Sequence, residues 1–265
     1  MRIIVCVKQV PDTTEVKIDP KTGTMIRDGV KSILNPDDKN ALEQALIIKD
    51  ERAARGEETE IVALSMGPKQ AEEMLIECLA MGADRAILLS DRAFAGSDTW
   101  ATANTLASAI RKIGEFDLVF AGRQAIDGDT AQVGPQIAER LSLPQVTYVM
   151  DLKLSGDKLT VKRMMEDGYE VIETRTPALI TAIKELNEPR YMSIGGIYKA
   201  FEKEIEVWSI QDLDIDSSEA GLGASPTRVR KSFTPPMKAP GRMLEGSVRE
   251  MTETLVSELK QEHLI

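Results

Sequence analysis

The feature that most restricts this chain is a repeated alternation between short, unbroken apolar runs and longer stretches whose apolar residues recur at helical spacing. Residues 3–7, 61–65, 86–89, 117–121 and Ala178–Ala182 are runs of the first kind. A strand that reads as almost continuously apolar is buried on both faces, which is the environment of a parallel sheet covered by helices. Between the runs, Ala41, Leu42, Ala45, Leu46 and Ile48 make one stripe. Ala71, Met74, Leu75, Cys78 and Leu79 make another over residues 69–81, with Gly82 placed to end that helix. Trp100, Ala103, Leu106, Ala107 and Ile110 are expected to face inward from a helix over residues 99–113. Strands alternating with helices of this length predict right-handed crossovers and an α/β fold.

Local chemistry marks the joints. Asn35-Pro36-Asp37-Asp38 has an N-cap residue, a proline suited to the first helical position and acids where a helix dipole favours them. Residues 14–30 alternate around a turn at Pro20 to Gly23 and read as a hairpin laid against the main sheet. Past Leu143-Pro144, residues 146–149, 152–154 and 159–162 read as short antiparallel strands at the sheet edge, around the turn Ser155-Gly156-Asp157. From about residue 205 the rhythm stops. Prolines at 226, 235, 236 and 240 and a terminal amphipathic segment, with Val248, Met251, Leu255 and Leu259 on one side, predict an arm that needs another surface to cover it. The expected organisation is an α/β domain over residues 1–204 and a C-terminal arm and helix over residues 205–265.

Composition narrows the function. A chain of 265 residues with a formal charge of −10 is poorly suited to bind duplex nucleic acid or an anionic membrane. No apolar run approaches the roughly 20 residues of a membrane span, and the start has no cleavable leader, so a cytoplasmic protein is expected. Cys6 and Cys78 have no metal-ligand or CxxC spacing, which fits a reducing compartment. His263, near the end, is the single histidine, so His-based catalysis and His-rich metal sites are not expected. No GxSxG elbow is present and no nucleophile has a histidine to activate it. Neither a catalytic constellation nor a metal site is predicted; any redox chemistry must come from a bound cofactor.

The most informative segment lies between the run at 117–121 and a helix expected over residues 136–141. It comprises Gly122, Arg123, Gln124, Ala125, Ile126, Asp127, Gly128, Asp129, Thr130, Ala131, Gln132, Val133, Gly134 and Pro135. A loop at the carboxyl end of a parallel strand that opens a helix presents unpaired N–H groups and a positive dipole end, the ingredients of a phosphate site. Gly122, Gly128 and Gly134 would let a ligand approach the backbone, Arg123 brings positive charge, and Thr130 and Gln132 bring donors. Asp127 and Asp129 would repel a phosphate; they are expected to accept from sugar hydroxyls, cap the helix or hold the loop. The segment matches neither GxGxxG nor the P-loop pattern, and an ordinary αβ connection remains an alternative. The strand-end loops at residues 6–9 and 66–68, which contain Cys6 and Met66, should reach the same sheet edge as Asn35, Pro36, Asp37 and Asp38, and together they could wall an adenine, although each also has an ordinary core or helix-start explanation.

Six segments, VKQVPD, DGVKSILNPDDKNALEQAL, ALSMGP, LAMGADRAILL, GRQAIDGDTAQVGPQIAERL and ELNEPRY, in this order and spacing, resemble the electron transfer flavoprotein beta subunit across nearly the whole chain. The resemblance implies a sheet like those of adenine nucleotide alpha hydrolases, a Rossmann-like arrangement with an edge hairpin. It implies an obligate heterodimer with an alpha subunit, around which the C-terminal arm wraps. It places the nucleotide against Cys6, residues 35–38, Met66 and the loop from Gly122 to Val133. Residues 186–199 match the segment by which such subunits recognise acyl-CoA dehydrogenases, which makes Glu185, Leu186, Asn187, Glu188, Pro189, Arg190, Tyr191, Ile194 and Lys199 the expected docking residues. Read without the family, the same segment is a helix–loop connection with a packed isoleucine.

Members of that family divide by nucleotide. Housekeeping forms keep a structural AMP in the beta subunit and pass single electrons from acyl-CoA dehydrogenases. Bifurcating forms of anaerobes hold a second FAD that accepts hydride from NADH and divides the electrons between the alpha-subunit flavin and a low-potential acceptor, ferredoxin or flavodoxin. DGDTAQVGP resembles the bifurcating group, where housekeeping forms tend to carry DDDCNQTG. Gly128 in place of an acid removes a charge and a Cβ beside the expected pyrophosphate. FAD is therefore expected, with AMP the alternative. A nucleotide-binding module of the universal stress protein type would explain the sheet but not the arm.

Overall fold

The computed structural model describes residues 1–12, 31–230 and 240–265. They fall into a compact unit of residues 1–230 and a smaller one of residues 231–265. In the first, β1 (Arg2–Cys6) is followed by a short antiparallel pair, β2 (Gln9–Pro11) and β3 (Ser32–Leu34). The hairpin expected at 14–30 lies outside the described residues. Then come α1 (Pro36–Ala53), β4 (Glu60–Met66), α2 (Glu72–Met81), β5 (Arg85–Leu89), α3 (Thr99–Ile113), β6 (Leu118–Gly122) and α4 (Val133–Leu141). The chain continues through β7 (Gln145–Ser155), β8 (Lys158–Met165), β9 (Gly168–Arg175), β10 (Ala178–Ala182), α5 (Ile194–Ala200), β11 (Ile205–Trp208) and α6 (Gly221–Ala224).

The main sheet has the order β11-β5-β4-β1-β6-β10-β7-β8-β9. Pairing is parallel from β11 to β7 and antiparallel from β7 to β9. The apolar runs are continuous because both faces are covered. Ile3 and Val5 enter one core layer with α1 and α2, and Ile4 and Cys6 enter the other with α3 and α4. Each fully buried Ile or Leu in these layers contributes about 1.5–3 kcal/mol of transfer free energy, which is why the strands, not the loops, fix the frame.

Several expectations change in detail. Trp100 does not face inward: it is 49% exposed, and the Arg140 guanidinium lies 4.1 Å from its ring centroid. The short strands expected after Pro144 are one long strand, β7, followed by β8 and β9, and β9 has no counterpart in the sequence reading because its side chains alternate weakly and stay largely exposed. Helix α4 starts at Val133, three residues before the expected start. Residues 205–208, grouped in sequence with the arm, add β11 beside β5. In the second unit, α7 (Val248–Gln261) begins with a reciprocal capping box between Ser247 and Glu250.

Candidate functional site

From β1 the chain moves to β4 and β5 on one side, then returns to β6 on the other side of β1. The loops leaving adjacent strands β1 and β6 therefore diverge, and a crevice opens at their carboxyl ends. Open α/β sheets place ligands in such a crevice. Register brings the predicted residues to this edge: Cys6 is level with Leu64 and Ala121, Met66 ends β4, and Gly122 is level with Ala182. Cys6 and Ala121 are each 7% exposed and share a core layer with partly buried Met66 and Val133. Burial, reinforced by the Asp38 charge, pushes the Cys6 thiol up to about 12, which keeps it neutral and poorly nucleophilic.

Beneath the crevice, the first turn of α1 has work other than capping. Asn35 precedes the helix, but its side chain makes no cap bond. Its Nδ2 donates to the Gln124 carbonyl at 2.9 Å and its Oδ1 accepts from the Ile126 amide at 3.1 Å, so it clamps the loop after β6. Pro36 opens the helix with acids behind it, as its sequence predicts. The Asp38 carboxylate accepts from the Lys8 amide at 2.8 Å and the Gly122 amide at 2.9 Å, stapling the ends of β1 and β6 together. Burial pushes its pKa up to about 7 against the opposing pull of those donors. Asp37 is raised too, again by burial, with Arg123 opposing.

The glycines divide by role. A Cβ on Gly122 would lie 2.4 Å from Asp38 Oδ1 and 2.7 Å from the Asp38 nitrogen; on Gly134 it would lie 2.7 Å from Thr181 Cγ2. Neither has room for a Cβ, because α1 and α4 approach the sheet closely at these positions. Around Gly128 the space is open.

Both loop acids hold the loop's shape. Asp127 receives Lys8 Nζ at 2.6 Å, and Asp129 receives the Gln124 side-chain amide. The Gly128 and Asp129 amides turn back to the Ala125 carbonyl. Beyond them, the amides of residues 130–134 make no hydrogen bond among the described residues. Asp129 and Ala131 both have φ of +52°, and left-handed Ala131 followed by right-handed Gln132 curls successive N–H groups into a concavity at the start of α4. Such a concavity on a positive helix end has the donors and dipole that anion sites use. Thr130, Ala131, Gln132 and Val133 thus supply main-chain donors, and Thr99 Oγ1 fixes the Gln132 side chain at 2.8 Å. Lys8 belongs to the strand-end loop of residues 6–9 expected at this edge, whereas Thr99 is a contributor that sequence reasoning missed. Its place at the start of α3 could have pointed to it.

The predicted docking segment is a separate surface. Asn187 exchanges hydrogen bonds with Asn40, and Arg190 pairs with Glu43 and Asp50, each at 2.9 Å. These residues anchor the segment to α1. Ile194 is 90% exposed and Tyr191 97%, so neither is a packed core residue. Glu185, Leu186, Glu188, Pro189 and Lys199 accompany them along the segment.

Fold and loop geometry together define a doubly wound α/β protein with unpaired amides at the start of α4, beside the switch point of the sheet. The electron transfer flavoprotein domain matches residues 22–213. The chain is 62% identical to the caffeyl-CoA reductase-Etf complex subunit CarD of Acetobacterium woodii, with 100% of both chains covered. It is 56% identical to the electron transfer flavoprotein subunit beta of Clostridium acetobutylicum, again over 100% of both. With protein FixA of Azorhizobium caulinodans the identity is 44%, over 98% of this chain and 94% of the other. The chain belongs to the electron transfer flavoprotein family, in its beta-subunit branch. No helix among the described residues is long and apolar enough to cross a membrane.

Proposed function

We propose that this chain is the beta subunit of a heterodimeric, bifurcating electron transfer flavoprotein and holds FAD in the crevice between β1 and β6. The reading is carried by the free amides of residues 130–134, curled at the start of a helix where the switch point of the sheet calls for a diphosphate. Cys6, Met66 and Val133 wall the adenine side; Asn35, Asp38 and Lys8 hold the loop in place; open space at Gly128 lets the diphosphate pass. When bound, FAD supplies hydride acceptance from NADH and one-electron release toward the alpha-subunit flavin and a low-potential acceptor such as ferredoxin or flavodoxin.

The chain's own part is to bind and orient. The arm ending in α7 covers the alpha subunit, and the exposed Tyr191 and Ile194 ridge meets an acyl-CoA dehydrogenase-like partner. A relative named for a caffeyl-CoA reductase complex supports a reductase of that class. A cytoplasmic, anaerobic setting follows from the same reading.

Denaturing the purified complex and quantifying its nucleotides tests the proposal. Two FAD and no AMP per heterodimer is the expected result. One of each would replace it with the housekeeping reading, in which AMP is structural.

A further inference from the structure

Arg123 and Tyr148 form a pair that the phosphate loop does not account for. The Arg123 amide donates to the Ala182 carbonyl at 2.8 Å, which pins its backbone between β6 and β10. Its guanidinium makes no hydrogen bond among the described residues: Nε is buried without a partner, and its contact with Asp37 Oδ2 is a long 3.5 Å. The guanidinium carbon lies 5.7 Å from the centroid of the Tyr148 ring. A planar, permanently charged fork with its donors uncommitted is suited to the carbonyl and nitrogen edge of a heterocycle.

Tyr148 is unusual for an independent reason. Its φ of +57° is one that a bulky side chain rarely adopts, and it sits where β7 loses register with β10. Its amide is tied to Thr181 Oγ1 at 3.2 Å. The strain does not serve the core, because the residue is 37% exposed. Backbone held in this way around an accessible ring is found where a ligand is gripped.

Placement along the sheet edge says which ligand. Cys6 and Met66 stand at the ends of β1 and β4. The free amides of α4 stand over β6 and β10, where Gly134 packs on Thr181. Arg123 and Tyr148 stand at β10 and β7. From β4 to β7 is four strand spacings, roughly 19 Å at about 4.8 Å each. A mononucleotide would occupy the β4 to β6 half, whereas an extended dinucleotide reaches the other. We propose that Tyr148 and Arg123 seat the ring-bearing half of a dinucleotide and thereby select FAD over AMP. The ring stacks on Tyr148 while the guanidinium donates to its polar edge. This rests on the reading of a nucleotide-binding crevice given above.

The test uses the full-length chain co-expressed with its alpha subunit, measuring extracted FAD and AMP and, by calorimetry, AMP affinity. Tyr148→Gly removes the ring and relieves the left-handed strain, so it should remain folded, as thermal melting will verify. It should lower the FAD-to-AMP ratio in this subunit by roughly tenfold, the scale of one lost stacking platform, with AMP affinity unchanged. Arg123→Gln should act in the same direction, and Tyr148→Phe should retain FAD. An unchanged ratio in Tyr148→Gly overturns the inference, and so does loss of both nucleotides together, which would make the pair a scaffold. AMP in place of the second FAD in the unaltered complex would instead sink the FAD reading beneath it, before any variant is compared.

Discussion

Asp38 Oδ1 accepts the Gly122 amide at 2.9 Å, joining the first turn of α1 to the last residue of β6 across 84 positions of sequence. The other carboxylate oxygen takes the Lys8 amide. One buried side chain thus sets the width of the crevice in which the nucleotide is proposed to lie.

Asp38→Asn keeps the shape but replaces one acceptor by a donor that faces an N–H. The expected loss is about 1–3 kcal/mol, the cost of a buried polar group left unpaired, measured by urea unfolding. The pH dependence should change as well. Asp38 is raised from 3.8 to about 7, so between those values the folded state holds a proton that the unfolded state has released. Its contribution to stability is present below the lower value and lost as pH rises through the upper one. The variant should lack this falling component.

Gly122→Ala should destabilise by about 1–3 kcal/mol through overpacking, because the new Cβ meets helix backbone as well as the Asp38 carboxylate. Gly128→Ala should leave stability within about 0.5 kcal/mol, as open surface substitutions do, yet weaken nucleotide binding. Paired melting curves and calorimetric titrations would expose an equal effect of the two, which would remove the distinction between packing glycine and ligand glycine.

Asn35→Ala strips the Gln124 carbonyl and the Ile126 amide of their partners. Faster hydrogen exchange at Ile126 is expected, with roughly tenfold weaker nucleotide binding for about 1.4 kcal/mol of lost loop order. Unaltered exchange would mean the clamp is dispensable.

In the docking segment the two kinds of residue should separate. Arg190→Ala leaves the Glu43 carboxylate, whose side chain is 5% exposed, without the guanidinium and with only the backbone amide of residue 190 as donor from this segment. A stability loss of at least about 1–3 kcal/mol follows. Ile194→Ala removes an exposed side chain and should not move the melting temperature. It should slow electron exchange with an acyl-CoA dehydrogenase-like partner, read by stopped-flow spectroscopy.

What the sequence by itself determined was everything that depends on local periodicity and backbone chemistry. The span of α3, the span of β10, the glycine end of α2 and the proline start of α1 follow from side chains acting on their own segment or on a uniformly apolar core. The place of the loop after β6, between a buried strand and a helix, was legible as well. Only the tertiary structure decided what the polar residues do. Asn35 and Asp38 look like helix-start residues, but their partners lie 30 to 91 positions away and cannot be read from spacing. Gly122 looks like a ligand glycine, but the atoms that exclude a side chain there belong to α1. Trp100 lies outward with the Arg140 guanidinium over its ring, and Tyr148 has a left-handed backbone at the point where β7 loses register with β10. Periodicity reports how much of a side chain is buried; which group it meets is set only when distant strands come into register.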